Sequence, residues 1–254
     1  MKKYLLIFVF VSSLIFSQGS AGQGAKYEYR SLIDLPTVGI LEKGIVGVSM
    51  DLLPLGTVVS KIEVGVFDNF SFGISYGGAN ILGSGSIKWY ELPGVNARVR
   101  VMNETMQMPA ITIGFDSQGK GDYLNKTNRY SIKSPGFFLA AAKNFEFFGF
   151  FSVHGVINYS LERDDNDKDL NLGFGVEKTI GERISVIAEY DFAINDNNSL
   201  SFGDGSGYLN FGARWTIGQG FTLGVNLRDL LDNKKLYSAK ADRGLFIEYL
   251  KAIF

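Results

Sequence analysis

Apolar and polar residues alternate along most of this 254-residue chain. Phe70, Phe72, Ile74 and Tyr76, for example, alternate with serine and glycine, which is the period of two expected of a strand with one apolar and one polar face. The same period predicts about twelve antiparallel strands. They lie at approximately 44–52, 57–67, 70–78, 86–102, 108–117, 134–142, 145–160, 168–179, 183–194, 207–216, 219–230 and 243–254, and the span 86–102, which contains Pro93-Gly94, could be two strands.

The connections between these strands alternate in length. Tight turns are predicted at Asp68-Asn69, Lys143-Asn144, Ile180-Gly181-Glu182 and Ile217-Gly218. The other connections are longer and more polar, at 117–133, 161–167, 195–206 and 231–243. Short turns at one end, long loops at the other and an even strand number are typical of a closed outer-membrane β-barrel, so the predicted fold class is all-β.

The first residues are predicted to form an export signal rather than part of the fold. Lys2 and Lys3 precede an apolar run from Leu5 to Phe16, followed by small and polar residues. The alternative, a membrane anchor, is disfavoured because this run is shorter than the roughly 20 residues of a spanning helix. We predict a cleaved signal peptide at 1–21, a periplasmic arm at 22–43 and a transmembrane barrel at 44–254. The C-terminal strand is expected to be recognised by the barrel-assembly machinery.

Alternation alone does not say which face of the barrel meets solvent, because a soluble barrel would place its apolar face inward. The polar face is rich in glycine, serine and asparagine, whereas a water-facing exterior should be dense in Lys and Glu. Aromatic residues such as Phe67 and Trp215 lie near the short turns, and Tyr76 and Trp89 lie near the loops, as at membrane interfaces. We therefore predict an apolar face toward the lipid bilayer and a narrow, glycine-lined lumen.

Charged residues of both signs fall on the predicted lumen face. In a channel they would tune selectivity, and in a plugged or narrow barrel they would form internal ion pairs; both interpretations stay open at this point. The residues are Lys61, Glu63, Arg98, Arg100, Asp116, Glu177, Glu189, Asp191, Arg214 and Arg228.

The last strand has two permissible phases. With Phe254 toward lipid, Glu248 would also face lipid, which is costly in hydrocarbon. The opposite phase turns Leu245 and Tyr249 outward with Lys251 snorkelling at the interface, and a bulge near residue 250 would reconcile the two.

Composition disfavours catalysis and cofactors. The chain has no cysteine, one histidine and a net charge of −1, so thiolate chemistry, zinc sites and a basic nucleic-acid surface are not expected. His154 and Ser152 share the lumen face, where a buried structural histidine is the simpler interpretation. The loop 164–169 has a calcium-like acidic spacing but lacks the glycine and terminal glutamate of the helical calcium loop. We predict no enzymatic, cofactor or metal site.

A short motif precedes the first strand. Residues 29–44 read YRSLIDLPTVGILEKG. This segment resembles the Gly-Leu-Ile-Asp-x-Pro-Thr-Ala motif of YjbH-like outer-membrane barrel proteins, which are linked to exopolysaccharide export. The matching residues are Leu32, Ile33, Asp34, Pro36 and Thr37.

The motif also has a physical interpretation, because Pro36 cannot continue a paired strand. The arm is therefore expected to extend into the periplasmic mouth, where Asp34 would meet an inward arginine. The leading functional prediction is passage of a small polar solute or participation in polysaccharide export. The alternative is a closed structural or adhesive barrel whose loops, especially 117–133 and 195–206, bind partners.

Overall fold

The computed structural model describes residues 28–146, 148–198, 200–218, 220–235 and 241–253. The predicted signal peptide at 1–21, residues 22–27 of the predicted arm and Phe254 lie outside the described residues. Within the described ranges, no helix is long and apolar enough to cross a membrane.

The described chain is built almost entirely of β-strands, with one 3₁₀ turn at Ile194–Asp196. The strands are β1 (Ile45–Leu53), β2 (Thr57–Phe67), β3 (Phe70–Ala79), β4 (Lys88–Trp89), β5 (Gly94–Met102), β6 (Ala110–Asp116), β7 (Lys120–Leu124), β8 (Arg129–Ile132), β9 (Gly136–Glu146), β10 (Phe150–Tyr159), β11 (Asn171–Ile180), β12 (Ile184–Asp191), β13 (Tyr208–Gly218), β14 (Phe221–Arg228) and β15 (Asp242–Ala252).

Twelve of these strands form one closed antiparallel barrel. Strand β1 pairs with both β2 and β15, and β2 pairs with β3, so the sheet closes on itself. Strand β4 is a two-residue addition beside β3, and β7 and β8 form a separate hairpin. Closure leaves none of the twelve with an unpaired edge, as a membrane-spanning sheet requires.

The apolar face of the barrel points outward. In β3, Ile74 is 52% exposed whereas the adjacent Ser75 is only 3% exposed, and the same contrast recurs around the barrel. Tyr76 and Trp89 stack outside the barrel, near its long loops, with ring centroids 5.8 Å apart. This phase excludes a soluble barrel, because its apolar side chains would then fill the interior. The outer surface is suited to acyl chains.

The predicted turn at Lys143-Asn144 is wrong. Both residues lie within β9, opposite Val153 and Ser152, and the hairpin reverses farther on, where Phe148 and Gly149 have positive φ. The apolar–polar alternation of β9 is interrupted in the sequence by Lys143, a charged residue on the outward face. Its Nζ donates to the Thr105 carbonyl. Such snorkelling lets a charged side chain continue an apolar face.

Two other predicted segments each contain two strands. The span 86–102 breaks at Pro93-Gly94 into β4 and β5, as proline cannot donate to a central ladder. The predicted loop 117–133 contains the β7–β8 hairpin, which packs Tyr123, Tyr130 and Ile132 against Leu53, Val59 and Tyr90.

The last strand adopts the phase that turns Glu248 inward. Leu245, Tyr249 and Lys251 are exposed, Glu248 is buried, and the β1–β15 register runs without a bulge from Ile45–Ala252 to Leu52–Leu245. Glu248 faces inward because it pairs there with Arg30 of the segment that precedes β1.

Candidate functional site: a lumen filled by the N-terminal arm

Residues 28–43, called the arm below, occupy the barrel lumen. The barrel has a short-turn end, where β1 begins, and a long-loop end. The arm enters at the short-turn end, folds back on itself and leaves at the same end to join β1. Its two limbs are joined by a bridge between Ser31 and Pro36 and by the Thr37 N–H donating to the Arg30 carbonyl at 3.1 Å. The arm is therefore a hairpin rather than an extended segment.

The tip of the arm is held by one carboxylate of the barrel wall. Glu189 of β12 accepts hydrogen bonds from the backbone N–H groups of Ile33, Asp34 and Leu35 at 2.9, 2.9 and 3.1 Å. Asn210 of β13 also donates to Glu189, at 2.8 Å. Charge-assisted bonds of this kind are stronger than neutral ones, so the tip is fixed to the wall by its backbone.

Asp34 makes the main ion pair at the tip. The Arg228 guanidinium donates to both carboxylate oxygens, with Nε 2.8 Å from Oδ2 and Nη2 3.1 Å from Oδ1. Lys120 of β7 adds a second cation 3.1 Å from Oδ1 and donates to the Ile33 carbonyl at 2.9 Å. Because Arg228 is the last residue of β14, the tip lies at the long-loop end, well beyond the mouth through which the arm enters.

The limbs of the arm are bonded by arginines and carboxylates of the wall. Arg30 contacts Glu63 of β2 at 3.2 Å and also pairs with Glu248 of β15. Arg98 of β5 donates to the Arg30 carbonyl, and Arg214 donates to the Leu32 carbonyl at 2.8 Å. These wall residues therefore bind a peptide segment of the same chain.

Arg100 of β5 contacts both the returning limb and the start of the arm. Its Nη2 donates to the Val38 carbonyl at 2.7 Å, and its guanidinium also pairs with Glu28. Thr112 of β6 donates to the same Val38 carbonyl at 2.7 Å.

Apolar contacts also hold the arm against the inner wall of the barrel. Leu35 and Val38 pack into a buried cluster on the inner face of β6, β9 and β10, and Leu32 and Ile33 pack on Ile187 of β12. The glycines of β11 make room for them: a Cβ at Gly173 would lie 2.6 Å from Leu35 Cδ2, and one at Gly175 would lie 2.2 Å from Leu32 Cδ1. The inner wall therefore carries glycine where the arm packs most closely against it.

The ten charged residues predicted on the lumen face lie on the inner face of the wall. Six of them contact the arm, and Lys61 and Asp116 pair with each other. Asp191 accepts from Asn171 at 2.7 Å and from the Ala193 N–H at 2.8 Å, and Glu177 is buried in the wall. The six that contact the arm are Glu63, Arg98, Arg100, Glu189, Arg214 and Arg228.

Several residues that hold the arm were missed by sequence reasoning, among them three charged ones. Arg30, Lys120 and Asp51 are charged, but nothing local indicates a partner, and Lys120 bridges Asp34 and Asp51 from within a predicted loop. The signal for Arg30 was its place inside the quoted motif, one residue before Ser31.

A second structure lies at the long-loop end. We call it the cap: the β7–β8 hairpin with segments 160–170, 192–198 and 200–207. Arg129 of β8 is fully buried, and its Nη1 lies 2.6 Å from both Asp165 and Asp196. Burial alone would raise the pKa of the Asp165 carboxyl, but the hydrogen bond and charge of Lys133 and the charge of Arg129 hold that pKa below its usual value.

The remaining sequence candidates are engaged in structural contacts. His154 is buried on the inner face of β10, and Ser152 donates to Asn144 rather than to the histidine. In the loop 164–169, Asp165 pairs with Arg129 and Lys133, and Asp167 accepts from the Asn197 N–H at 2.9 Å. Within the described ranges, no group of three or more histidines or carboxylates is arranged to hold a metal ion.

The fold is found among solved structures. A KdgM porin matches with a TM-score of 0.51 and 12% identity, covering 81% of this chain and 98% of that chain. A KdgM porin in complex with disordered oligogalacturonate gives 0.49, 10%, 83% and 99%, and a NanC porin gives 0.46, 7%, 82% and 100%. At such identities the likeness is one of fold, a twelve-stranded porin-like barrel.

No family model matches this chain. No curated protein matches it either. The resemblance of residues 29–44 to YjbH-like proteins therefore stays a prediction.

Proposed function

We propose that this chain is an outer-membrane channel for a small polar solute, closed at rest by its own arm. The short-turn end faces the periplasm, so the arm enters the lumen from that side. The observation that carries the proposal is the arm itself, which runs through the lumen from the short-turn end to Arg228. An exported oligosaccharide or polysaccharide segment is the cargo that the arm motif suggests.

The wall behind the arm supports a polar cargo. The charged positions that bond the arm include both signs, and they would line an open passage if the arm withdrew. Polar and charged linings with both signs select hydrated solutes over apolar ones. Removal of the arm would also uncover the apolar patch around Phe138, which opposes opening and keeps the resting state closed.

Planar-bilayer conductance tests this proposal. In the double variant Gly173→Val and Gly175→Val, the new side chains occupy the space of Leu35 and Leu32, so the arm should be displaced and stable channel currents should appear. Deletion of residues 28–41 should give larger currents. Gly155→Val is the matched control, because a Cβ there meets no atom within 4 Å. Heat-modifiable migration on gels verifies that each variant is folded.

The outcomes separate two functions. Stable currents in the wild-type protein at rest would refute occlusion by the arm. Silence from both arm-displacing variants, with folding intact, would favour the second candidate, a closed barrel whose loops bind a partner. The specific observation behind that candidate is the cap, whose buried Arg129 network orders the loops at the long-loop end.

A further inference from the structure

A groove lies at the long-loop end, between β4, the tip of the β7–β8 hairpin and residues 200–202. Its volume is about 920 Å³, within the range of roughly 300–1,000 Å³ that is typical of ligand sites. Lys88, Lys126 and Leu200 line it and are exposed, so it is reached from outside without moving the cap or the arm. We call this space the outer groove.

Each wall of the outer groove is fixed to the barrel or to the cap. Trp89 belongs to β4, which pairs with the top of β3. Tyr123 of β7 packs edge-on against Tyr130, with ring centroids 5.0 Å apart. Ser201 donates to the buried Asp165 carboxylate at 3.3 Å. A ligand therefore meets a preformed surface and does not have to order it on binding.

The charged groups of the outer groove are unengaged, unlike those of the lumen. Within the described ranges, the side chains of Lys88, Glu91, Asp122 and Lys126 form no ion pair and no hydrogen bond. Two cations and two carboxylates give the lining no net charge, so it favours neither an anion nor a cation. Ammonium groups donate hydrogen bonds, carboxylates accept them, and ligand hydroxyl groups do both.

Apolar surface lies among these polar groups. Trp89 is 57% exposed although its indole stacks on Tyr76, and Leu200 is 54% exposed. Tyr123 and Leu124 line the same space. Sugar units carry hydroxyl groups at their edges and C–H groups on their ring faces, so aromatic and aliphatic surface beside donors and acceptors fits both parts.

The strands that border the outer groove disfavour an extended peptide as its occupant. A peptide bound in that way pairs its main chain with a regular sheet edge. Strand β4 is only two residues long, and the β7–β8 register shifts between Lys120 and Tyr123. Short and bulged strands are poor templates for such pairing. Recognition in the outer groove therefore depends on side chains, which suits a glycan better than a peptide.

We propose that the outer groove binds a neutral glycan chain. One sugar ring packs on Trp89, and hydroxyl groups of the chain bond to Asp122 and Lys126. The loops 117–133 and 195–206, which the sequence marks as candidates for partner binding, supply most of the lining. This binding does not rest on the channel proposed above, because neither the lumen nor the arm takes part in it.

Calorimetric titration of the folded protein, in a detergent without a sugar headgroup, tests the binding. Maltohexaose, xylohexaose and mannohexaose are the neutral probes. Hexagalacturonate is the acidic probe, a chitosan hexamer is the cationic probe, and end-blocked hexathreonine is the peptide. At least one neutral glycan should bind about tenfold more tightly than each of the last three probes, which corresponds to one or two net hydrogen bonds.

Tryptophan fluorescence tests the location. Trp89 and Trp215 are the two tryptophans of the chain, and they lie at opposite ends of the barrel. In Trp215→Phe, the emission of Trp89 should change when the glycan is added. In Trp89→Ala, the emission of Trp215 should stay constant, and the affinity should fall by about tenfold.

A second variant leaves the aromatic surface in place. Asp122→Ala combined with Lys126→Ala should weaken glycan binding by about threefold to tenfold for each lost hydrogen bond. Lys168→Ala is the matched control, because Lys168 is also an exposed lysine at the long-loop end but does not line the outer groove. This control should bind the glycan as the wild-type protein does.

Tighter binding of either charged oligosaccharide would overturn the assignment of a neutral ligand, and tighter binding of hexathreonine would assign the outer groove to a peptide instead. Failure of all three neutral glycans to bind the folded wild-type protein would overturn the proposal. Unchanged affinity in both Trp89→Ala and the double variant would overturn the location. Silent arm-displacing variants together with glycan binding as described would remove the channel and leave the outer groove standing.

Discussion

The arm fills the lumen and the cap lies at the long-loop end, and the two are built from different interactions. The arm combines backbone hydrogen bonds to Glu189, ion pairs and two clusters of buried apolar side chains. The cap is held mainly by charged and polar groups gathered around Arg129, with its tyrosines packed on the rim. The arm is therefore packed like a protein core, whereas the cap depends on the ionisation of a few groups.

This difference has energetic consequences. Full burial of a Leu, Ile or Val side chain contributes about 1.5–3 kcal/mol, and Leu32, Ile33, Leu35, Val38 and Leu41 are all buried. A buried ion pair contributes little net stability, although the removal of one partner is costly. The arm should therefore tolerate changes in pH better than the cap, and the following experiments test that contrast.

The largest effect is expected from Val38→Asp. Val38 is fully buried among apolar side chains, so an unpaired carboxylate there should cost about 3–5 kcal/mol and expel the arm. The measurements are the denaturant midpoint and bilayer conductance, which should fall and rise respectively. Val38→Ala, with a loss of about 2 kcal/mol, is the control for a cavity without charge. Unaltered conductance in a folded Val38→Asp protein would contradict the core-like description of the arm.

A somewhat smaller effect is expected from Arg129→Ala, and it should be confined to the cap. The change leaves Asp165 and Asp196 without their shared cation and should cost about 3 kcal/mol locally. Limited proteolysis should then cleave segments 160–170, 192–198 and 200–207 faster while conductance stays at the wild-type level. Arg163→Ala, which removes a part-buried contact to Tyr159, is the control and should leave the cleavage rate nearly unchanged. Currents equal to those of the arm variants would show that the arm and the cap are one unit.

The smallest effect is expected from acidification. The folded pKa of Asp165 lies below its unfolded value, so this carboxylate stabilises the cap above the unfolded pKa of about 4 and loses that contribution as the pH falls through the folded pKa. Protease resistance of the cap should decline below about pH 4, and in Asp165→Asn this pH dependence should flatten. If arm displacement, followed by conductance, began at a higher pH than loss of the cap, the comparison would be reversed.

Sequence patterns reveal much of the wall because strand alternation is a local property. In β3 and β14, residues two apart lie on the same face, so the face of each residue can be predicted from its neighbours in the sequence. The failure at Lys143 is also local, since a long aliphatic stem lets a charge stand where an apolar residue is expected.

The contents of the lumen follow from contacts that no local pattern encodes. Arg30 and Glu248 are 218 residues apart, and Asp34 and Arg228 are 194 apart. The glycines at 173 and 175 indicated a narrow interior, but only the folded chain shows that Leu35 and Leu32 use the space they leave. The inward phase of Glu248 likewise depends on Arg30, which sequence reasoning did not connect with the last strand.

The bridge between Ser31 and Pro36 has a topological consequence. Because both limbs of the arm pass through one opening, no free terminus has to be threaded from one side of the membrane to the other. The barrel can close between β1 and β15 before the arm enters the lumen. The arm can then leave and re-enter without breaking the hydrogen bonds between β1 and β15.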